Sequence, residues 1–320
     1  MSLLLRIYFN AVFGALGGLV GWLLFGAFGE KNSAAEYQWF QQLIGGALVG
    51  GSIGYLVVSV DAMRDRSLLR FCRLASYGVV LGAVGGALGM WAGDQVNYLL
   101  VGRLAADPER RETALRLAGT VLARGLGWMF LGVAVGVSEG VAARSLGKLS
   151  YGTAGGALGG LLGGAFFGLL LEASEKDASS YVWGQAVGLA ILGACIGSLS
   201  ALVQGVFQPA SVKVVRGWQE GREYALLKSD SVLGRDERAD IALFRDMKVE
   251  KRHAVIRRQA SGFVLLNNHA PPEQTRVNGE TVPQVARLHD GDRIQLGNVV
   301  LRFQARAAVV KRRWRGENRG

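Results

Sequence analysis

The 320-residue chain contains little cysteine and little proline, with two residues of the first and five of the second. Cys72 and Cys195 lie inside or beside long apolar runs, where a free thiol usually packs as a small hydrophobic side chain. A disulfide-bonded scaffold is therefore excluded. Glycine occupies 47 positions, but it follows no three-residue period and has almost no proline beside it, which excludes collagen and proline-rich disorder.

The sequence also lacks the motifs of familiar catalytic sites. It has no Ser-His-Asp or Cys-His set, no spacing typical of metal ligands and no phosphate-binding loop. Its glycine runs have the four-residue spacing of packed helices and do not open a strand-to-helix turn. An enzyme is consequently the weakest interpretation, and we expect no cofactor and no metal.

Composition divides the chain near Pro209. Residues 1–207 contain 38 of the 47 glycines and nearly balanced charge, whereas residues 208–320 carry 22 Lys and Arg against 13 Asp and Glu. The net positive charge therefore belongs mainly to the second part. We predict a transmembrane domain at 1–207, a cytoplasmic domain at 208–306 and a basic tail at 307–320.

Six segments of the first part are apolar over about 20 residues, the length that a helix needs to cross a bilayer. They have no polar face, which distinguishes them from the helices of a soluble bundle. An α-helical membrane bundle of six transmembrane helices is therefore the predicted fold class for this part. The predicted spans are 7–28, 39–60, 74–93, 118–138, 151–171 and 182–206.

Basic residues predict the orientation, because cytoplasmic loops retain Lys and Arg. The loops after spans two and four and the segment after span six are basic, so both termini are predicted to lie in the cytoplasm, with the spans in the inner membrane. The loop at 94–117 is also basic, although this orientation places it on the opposite side of the membrane. The supporting residues are Arg64, Arg66, Arg70, Arg73, Arg144, Lys148, Lys213 and Arg216, and the dissenting ones are Arg103, Arg110, Arg111 and Arg116.

Short repeats indicate how the spans are arranged. The string GA(L/V)GG recurs at 14–18, 82–86 and 156–160, near the start of spans one, three and five. The motif Tyr-x-Trp-x-Gln opens span two at 37–41 and span six at 181–185. The first part therefore reads as three tandem helical hairpins.

Glycines four residues apart form ladders along several spans. In lipid, small residues allow the close approach that holds helices together, so the ladders predict packing within the bundle, between copies in a homo-oligomer, or both. A glycine-lined pore is the functional alternative. The ladders are Gly46-Gly50-Gly54, Gly85-Gly89-Gly93, Gly132-Gly136-Gly140 and Gly152-Gly156-Gly160-Gly164-Gly168.

Polar side chains argue for packing over conduction. A transport path usually needs ionisable or strongly polar groups at mid-membrane, and those of these spans lie near the span ends, where they reach headgroups or loops. Glu139 is the deepest of them. The others are Asn10, Asp61, Asp94 and Arg124.

Beyond Pro209, short alternating strands separated by turn signals predict an all-β sandwich. Over roughly 222–304 the sequence resembles the forkhead-associated (FHA) domain family, because four motifs occur in the family's order and spacing. The matching motifs are Gly234-Arg235 followed by Asp240-Ile241-x-Leu243, Val249-x-x-x-His253-Ala254-x-Ile256, Thr275-x-Val277-Asn278-Gly279, and Leu288-x-Asp290-Gly291-Asp292-x-Ile294-x-Leu296-Gly297.

The resemblance implies an eleven-stranded sandwich whose apical loops bind a protein partner, in most members a phosphothreonine peptide. Arg235 and Lys251 would then supply positive charge for the phosphate. His253 would brace the loop without touching the ligand, and Gly234 would be structural. The predicted partner-binding residues are Arg235, Glu250, Lys251, Glu273, Thr275 and Asn278.

Two departures from the family pattern weaken phosphate binding. Glu250 replaces the family's serine, and Glu273 replaces its ligand-gripping asparagine. A carboxylate about 5 Å from a phosphate charge repels it by roughly 3 kcal/mol at an effective dielectric of about 20. Alternatively, the carboxylates turn outward and pair with Lys251, Arg252 or Arg276, which would leave a weakened working site. We favour a protein contact that does not need phosphate.

The tail sequence Lys311-Arg312-Arg313-Trp314-Arg315 is either solvated or an anchor on anionic lipid. A nucleic-acid partner is not expected, because the basic residues of the sandwich are dispersed among acids and lack an aromatic stacking platform. Two functions remain. The first is a membrane-anchored interaction protein that presents its FHA-like domain to a cytoplasmic protein or phosphoprotein. The alternative is an oligomeric channel, transporter or secretion-system component that this domain regulates.

Overall fold

The computed structural model describes residues 3–29, 38–65, 68–99, 114–174, 178–259 and 261–305. The chain separates into two compact units, with the boundary between Val206 and Phe207. Several residues used in the sequence-based predictions lie outside the described ranges. They are Arg66, Arg103, Arg110, Arg111 and the tail at 307–320.

The first unit is helical, and each of the six predicted spans is confirmed as a helix. Each helix has 27 to 30 residues and is long and apolar enough to cross a membrane. At about 1.5 Å per residue, each exceeds the roughly 30 Å of a bilayer core. The helices are α1 (Leu3–Gly29), α2 (Gln38–Asp65), α3 (Leu68–Asn97), α4 (Ala114–Ala143), α5 (Leu146–Ser174) and α6 (Ala178–Phe207).

Glycine contacts join the helices in a closed cycle. Along the chain, each helix packs on the next, and α6 returns to α1, where Gly14 and Gly193 face each other's carbonyl oxygens. Between α2 and α3, Gly50 faces the carbonyl of Gly82. Between α4 and α5, Gly132 faces the carbonyl of Gly156. The predicted ladders thus contact neighbouring helices of the same chain.

The interior of this cycle is filled by apolar side chains. Ile53 of α2, Leu131 of α4 and Ile196 of α6 are fully buried in one cluster, which also contains the perpendicular ring pair Trp128 and Phe167. The described part of the bundle therefore has a packed core where a pore would run. This arrangement agrees with packing as the role of the glycines.

A buried polar network lies at the end of the bundle where α1 and α5 begin and α4 and α6 end. Gln204 is 1% exposed, accepts from Arg6 Nη2 at 2.9 Å and donates to Glu139 Oε2 at 2.7 Å. Lys148 Nζ lies 3.2 Å from the other oxygen of Glu139. Glu139, the deepest ionisable residue, is therefore held by Gln204 and Lys148 and links three helices.

The second unit is a sandwich of two sheets. One sheet has the order β2-β1-β11-β10-β7-β8, and the other has the order β4-β3-β5-β6-β9. The strands are β1 (Ala210–Arg216), β2 (Glu223–Ala225), β3 (Asp230–Gly234), β4 (Ile241–Ala242), β5 (Ala254–Gln259), β6 (Gly262–Asn267), β7 (Thr275–Val277), β8 (Glu280–Thr281), β9 (Val285–Leu288), β10 (Arg293–Leu296) and β11 (Val299–Ala305).

Alternating side chains build the sandwich core. Along β11, Val299, Leu301 and Phe303 are buried while the intervening residues are more exposed, as expected of a strand with one face on the core. Phe303 meets Phe263 of the opposite sheet with ring centroids 5.3 Å apart. The eleven strands and the two-sheet architecture confirm the all-β sandwich predicted from the sequence.

Candidate functional site

The candidate site is the group of loops at one end of the sandwich, where β3 and β6 end and β5 and β7 begin. Three segments meet there: Gly234 to Asp236, Glu250 to Arg252, and the stretch 267–274 with its short 3-10 turn at Pro272–Gln274. Backbone hydrogen bonds join the first two, from Arg235 N to the Glu250 carbonyl and from Asp236 N to the Lys251 carbonyl.

Gly234 makes this close approach possible. A Cβ at this position would collide with the carbonyl of Lys251 and lie 3.0 Å from Cα of Arg252. A side chain of any size would push the second loop away and break the hydrogen bonds that seat Arg235. This close approach is compatible with the structural role that the resemblance implies for Gly234, and that role stays a prediction.

His253 braces the same loop from below. Its ring is fully buried, Nδ1 accepts from the backbone N–H of Glu250 at 3.1 Å, and Nε2 lies 3.0 Å from Thr275 Oγ1. Because Nδ1 is an acceptor, the neutral ring carries its proton on Nε2 and donates it to Thr275. Burial lowers the pKa of His253, and the charges of Glu250 and Asp246 oppose this effect only in part.

Charged side chains surround these braces at the surface. Glu250, Lys251, Arg252 and Glu273 are all exposed. Within the part of the chain that the structure describes, neither Glu250 nor Glu273 forms a salt bridge with Lys251, Arg252 or Arg276. The pairing that the sequence offered as an alternative is therefore not formed within these ranges, and both carboxylates are exposed to solvent.

Asn267 and Asn268 organise the third segment, and sequence reasoning missed both. Asn268 donates Nδ2 to the Arg252 carbonyl at 2.8 Å and its backbone N–H to the His253 carbonyl at 3.0 Å. Asn267 donates to the Ala270 carbonyl and accepts from the Ala270 N–H, which closes the loop on itself. The Asn-Asn pair at the end of a buried strand was the available signal, since such side chains favour turns.

Asp246 is a second residue that the sequence did not reveal. It is buried, and its carboxylate accepts from the backbone N–H groups of Lys248 and Asn298 at 3.0 and 2.7 Å. It thereby ties the loop after β4 to the turn between β10 and β11. No local motif marks this role, because Asn298 is 52 residues away.

A family model described as the inner membrane component of T3SS (type III secretion system), cytoplasmic domain, matches residues 213–307. The match coincides with the sandwich and its braced loops. The C-terminal part of the chain is an FHA-like domain. Domains of this kind are protein-interaction modules. A comparison with curated proteins finds no significant match to the chain.

Solved structures resemble the FHA-like domain over about three tenths of the chain. One, from an analysis of phosphothreonine-dependent FHA domain interactions, is 28% identical and covers 31% of this chain and 97% of its own, with a TM-score of 0.28. The FhaA FHA domain, in complex with the intracellular domain of a second protein, is 29% identical and covers 30% and 99%, with a TM-score of 0.27. The cytoplasmic domain of the T3SS sorting platform protein PscD from P. aeruginosa is 23% identical and covers 30% and 80%, with a TM-score of 0.27.

Two of the predicted partner-binding residues, Thr275 and Asn278, do not lie on the exposed surface of the apical loops. Thr275 is fully buried against His253, so its side chain has no exposed surface and braces the loop instead. Asn278 lies at the other end of β7, about 10 Å from Thr275 along the strand. Asn278 has a φ of 53° and forms the turn to β8 together with Gly279. Its side chain donates a hydrogen bond to the Asp292 carboxylate and accepts one from the backbone N–H of Arg293.

The remaining predicted residues do come together. Arg235, Glu250, Lys251 and Glu273 belong to the three apical segments, with Gly234 and His253 beneath them. Arg235 is half-buried and donates from Nη1 to Sδ of Met247 at 3.1 Å. The site is thus a rigid, hydrogen-bonded frame that presents charges of both signs.

Proposed function

We propose that this protein is a membrane-anchored interaction protein that holds an FHA-like domain at the cytoplasmic face of the inner membrane for a partner protein to bind. The observation that carries the proposal is the braced loop frame built on His253, Thr275 and Gly234. Such a frame fixes the exposed side chains in place, so a partner would not need to order them. The six apolar helices provide the anchor.

The family match favours a place for the protein in a secretion assembly. The matching family is described as an inner membrane component of a secretion system, and a component of that kind must contact other proteins at the membrane. An independent channel or transporter has less support, because buried Ile53, Leu131 and Ile196 occupy the interior of the bundle. The glycine ladders are engaged within one chain, so they do not themselves argue for a homo-oligomer.

We further propose that the partner contact does not require phosphothreonine. Glu250 and Glu273 are exposed on the same group of loops as Arg235 and Lys251, and no salt bridge within the described ranges neutralises them. Because water screens them, each repels a nearby phosphate charge by about 1 kcal/mol. That is enough to weaken a site whose family hydroxyl and amide are also missing.

Site-specific photo-crosslinking in cells tests the interaction itself. A photoreactive residue at Glu273, on the loop frame, should form a crosslink to a protein. The same residue at Glu280, exposed on β8 at the other end of β7, is the matched control and should not. Absence of any crosslink at Glu273, or the same products at both positions, would contradict the proposal.

A reporter that is active only outside the cytoplasm tests the orientation. Fused after the last residue, it should give no signal, because the basic residues near Arg144 and Lys148 are expected to stay inside. Activity of the fused reporter would show that the sandwich lies on the other side of the membrane. A cytoplasm-active reporter at the same position is the control.

A further inference from the structure

We propose that a patch beside the loop frame, made of exposed Trp218, Arg245 and Met247 with half-buried Phe244 and Arg235, docks an acidic protein segment that carries a large apolar side chain. The inference rests on the proposed function, since it names the chemistry of the partner. Nothing in the loop motifs themselves points to this surface. Its apolar residues come from the turn after β1 and the loop after β4.

The apolar part of the patch consists of an aromatic pair and a methionine. Trp218 is 44% exposed, and its ring meets Phe244 edge-on at 6.4 Å. Met247, three residues after Phe244, is 78% exposed. Single exposed apolar residues are ordinary on protein surfaces, but an aromatic pair next to an exposed methionine forms a surface that favours an apolar partner. Methionine also adapts its shape readily to what it contacts.

The patch is joined directly to the loop frame. Met247 Sδ accepts from Nη1 of Arg235 at 3.1 Å, so the apolar surface ends at this guanidinium. Sulfur is a weak acceptor, and a carboxylate would take its place at Arg235 with a stronger, charge-assisted bond. A partner that covers Met247 therefore reaches Arg235 at the same time.

The exposed charges of the patch are positive. The guanidinium of Arg245 lies 4.5 Å from the centre of the Trp218 ring, and Lys248 is exposed beside it. Asp246, between them, is buried with its oxygens bonded to backbone amides, so it does not offset them at the surface. The charges of Arg245 and Lys248 complement an acidic segment, whereas exposed Glu250 next to Arg235 opposes it, so the attraction is centred on Arg245.

The backbone holds the patch in a costly conformation. Arg245 has a φ of 68°, in the left-handed region that non-glycine residues rarely adopt. The stacking on Trp218 and the anchored Asp246 keep it there. Strain of this kind persists where the surrounding structure fixes it and often marks a binding surface. Arg245 is thus oriented before a partner arrives.

The test uses the full chain in nanodiscs of phosphatidylcholine and fluorescence anisotropy of labelled peptides. The probe is a decapeptide of aspartates with one central phenylalanine. Comparison peptides replace that phenylalanine with alanine, or the aspartates with lysine. We expect saturable binding of the probe and at least tenfold weaker binding of both comparison peptides, because each removes one of the two attractions.

Variants then locate the binding. Trp218→Ala and Arg245→Glu should each weaken probe binding at least tenfold. The matched controls Val285→Ala and Arg287→Glu lie on β9, at the opposite edge of the sheet from β4, and should leave it unchanged. Thermal unfolding equal to that of the unaltered protein shows that each variant is folded. Met247→Ala, which keeps the aromatic pair, provides a milder second change.

The outcomes separate this inference from the proposed function. Failure of the probe to bind, or binding unaffected by Trp218→Ala, Arg245→Glu and Met247→Ala, overturns the patch while crosslinking at Glu273 continues to support a partner. Loss of probe binding when the nanodisc contains phosphatidylglycerol, in a protein that binds the probe in phosphatidylcholine, would show that the patch prefers anionic lipid and would also overturn the inference. If the probe binds through the patch but no crosslink forms at Glu273, the patch is supported and the proposed binding of a partner at the loops is contradicted.

Discussion

The two units of this chain are held together by opposite means. In the bundle, helices touch where side chains are missing: Gly50 and Gly132 put backbone against backbone. In the sandwich, sheets touch where side chains are largest, as with Phe263 and Phe303 across the core. In lipid, burying an apolar side chain gains little, so close approach supplies the attraction, whereas in water the burial itself is the gain. Adding a side chain at a helix contact should therefore disrupt the bundle, whereas removing a core side chain should disrupt the sandwich.

Adding a side chain to the bundle is the strongest test of this difference. In Gly160→Leu the new Cβ would collide with the carbonyl of Trp128 and lie 2.9 Å from Cα of Met129. Overpacking commonly costs about 1–3 kcal/mol, and here four carbon atoms must enter a backbone contact. We expect a bundle that no longer assembles, seen as aggregation or lost thermal stability in detergent. Gly26→Leu is the control, because nothing lies within 4 Å of its Cβ position. Wild-type stability of Gly160→Leu would refute close helix packing.

Removing a side chain from the sandwich is the converse test. Phe303 is fully buried, and Phe303→Ala should reduce the free energy of unfolding of the sandwich by about 3–5 kcal/mol. Denaturant unfolding of the fragment 208–306 measures this value. Val285→Ala, which truncates a side chain that is 57% exposed, should change it by less than about 0.5 kcal/mol. Equal effects of the two substitutions would mean that the sandwich core is not packed as described.

Both units also bury polar groups, and those of the sandwich should respond to pH. The pKa of His253 is lowered in the folded domain, so the unfolded chain binds more protons below its ordinary pKa of about 6.5. Stability is therefore complete above about pH 6.5 and falls as the pH decreases through the lower folded value, by about 1.4 kcal/mol for each unit of lowering.

Urea unfolding of the fragment 208–306 between pH 7.5 and 5 measures this fall. His253→Gln should lower stability at pH 7 and flatten the slope that His253 contributes. His269→Asn, which changes an exposed histidine whose φ of 61° suits asparagine, should keep the slope. A slope unchanged by His253→Gln would show that the buried ring is not the titrating group.

Sequence reasoning succeeded where a pattern repeats and failed where distant segments meet. Continuous apolar runs predicted the helices, and alternation with spaced motifs predicted the sandwich. Asp246 could not be found, because its partner Asn298 lies far along the chain and only the fold joins them. Asn278 was misplaced for a related reason: its motif neighbour Thr275 is near in sequence, but a strand carries the two residues to different ends.

The smallest predicted effect concerns the exposed charges of the loop frame. There, affinity for a phosphopeptide depends on charge and not on glycine contacts or core packing. Glu250→Ser with Glu273→Asn removes two exposed carboxylates and supplies a hydroxyl and an amide to a phosphate. At about 1 kcal/mol for each of the two screened charges, the double variant should bind a phosphothreonine peptide about thirtyfold more tightly than the unaltered domain. The gain should vanish when Arg235→Ala is added, because no guanidinium then meets the phosphate.

Glu280→Asn, which removes a carboxylate at the other end of the sandwich, should leave binding unchanged. Calorimetry with a phosphorylated and a plain peptide decides the matter: tight, phosphate-dependent binding by the unaltered domain would show that Glu250 and Glu273 do not oppose the phosphate, and the proposed phosphate-independent contact would be wrong.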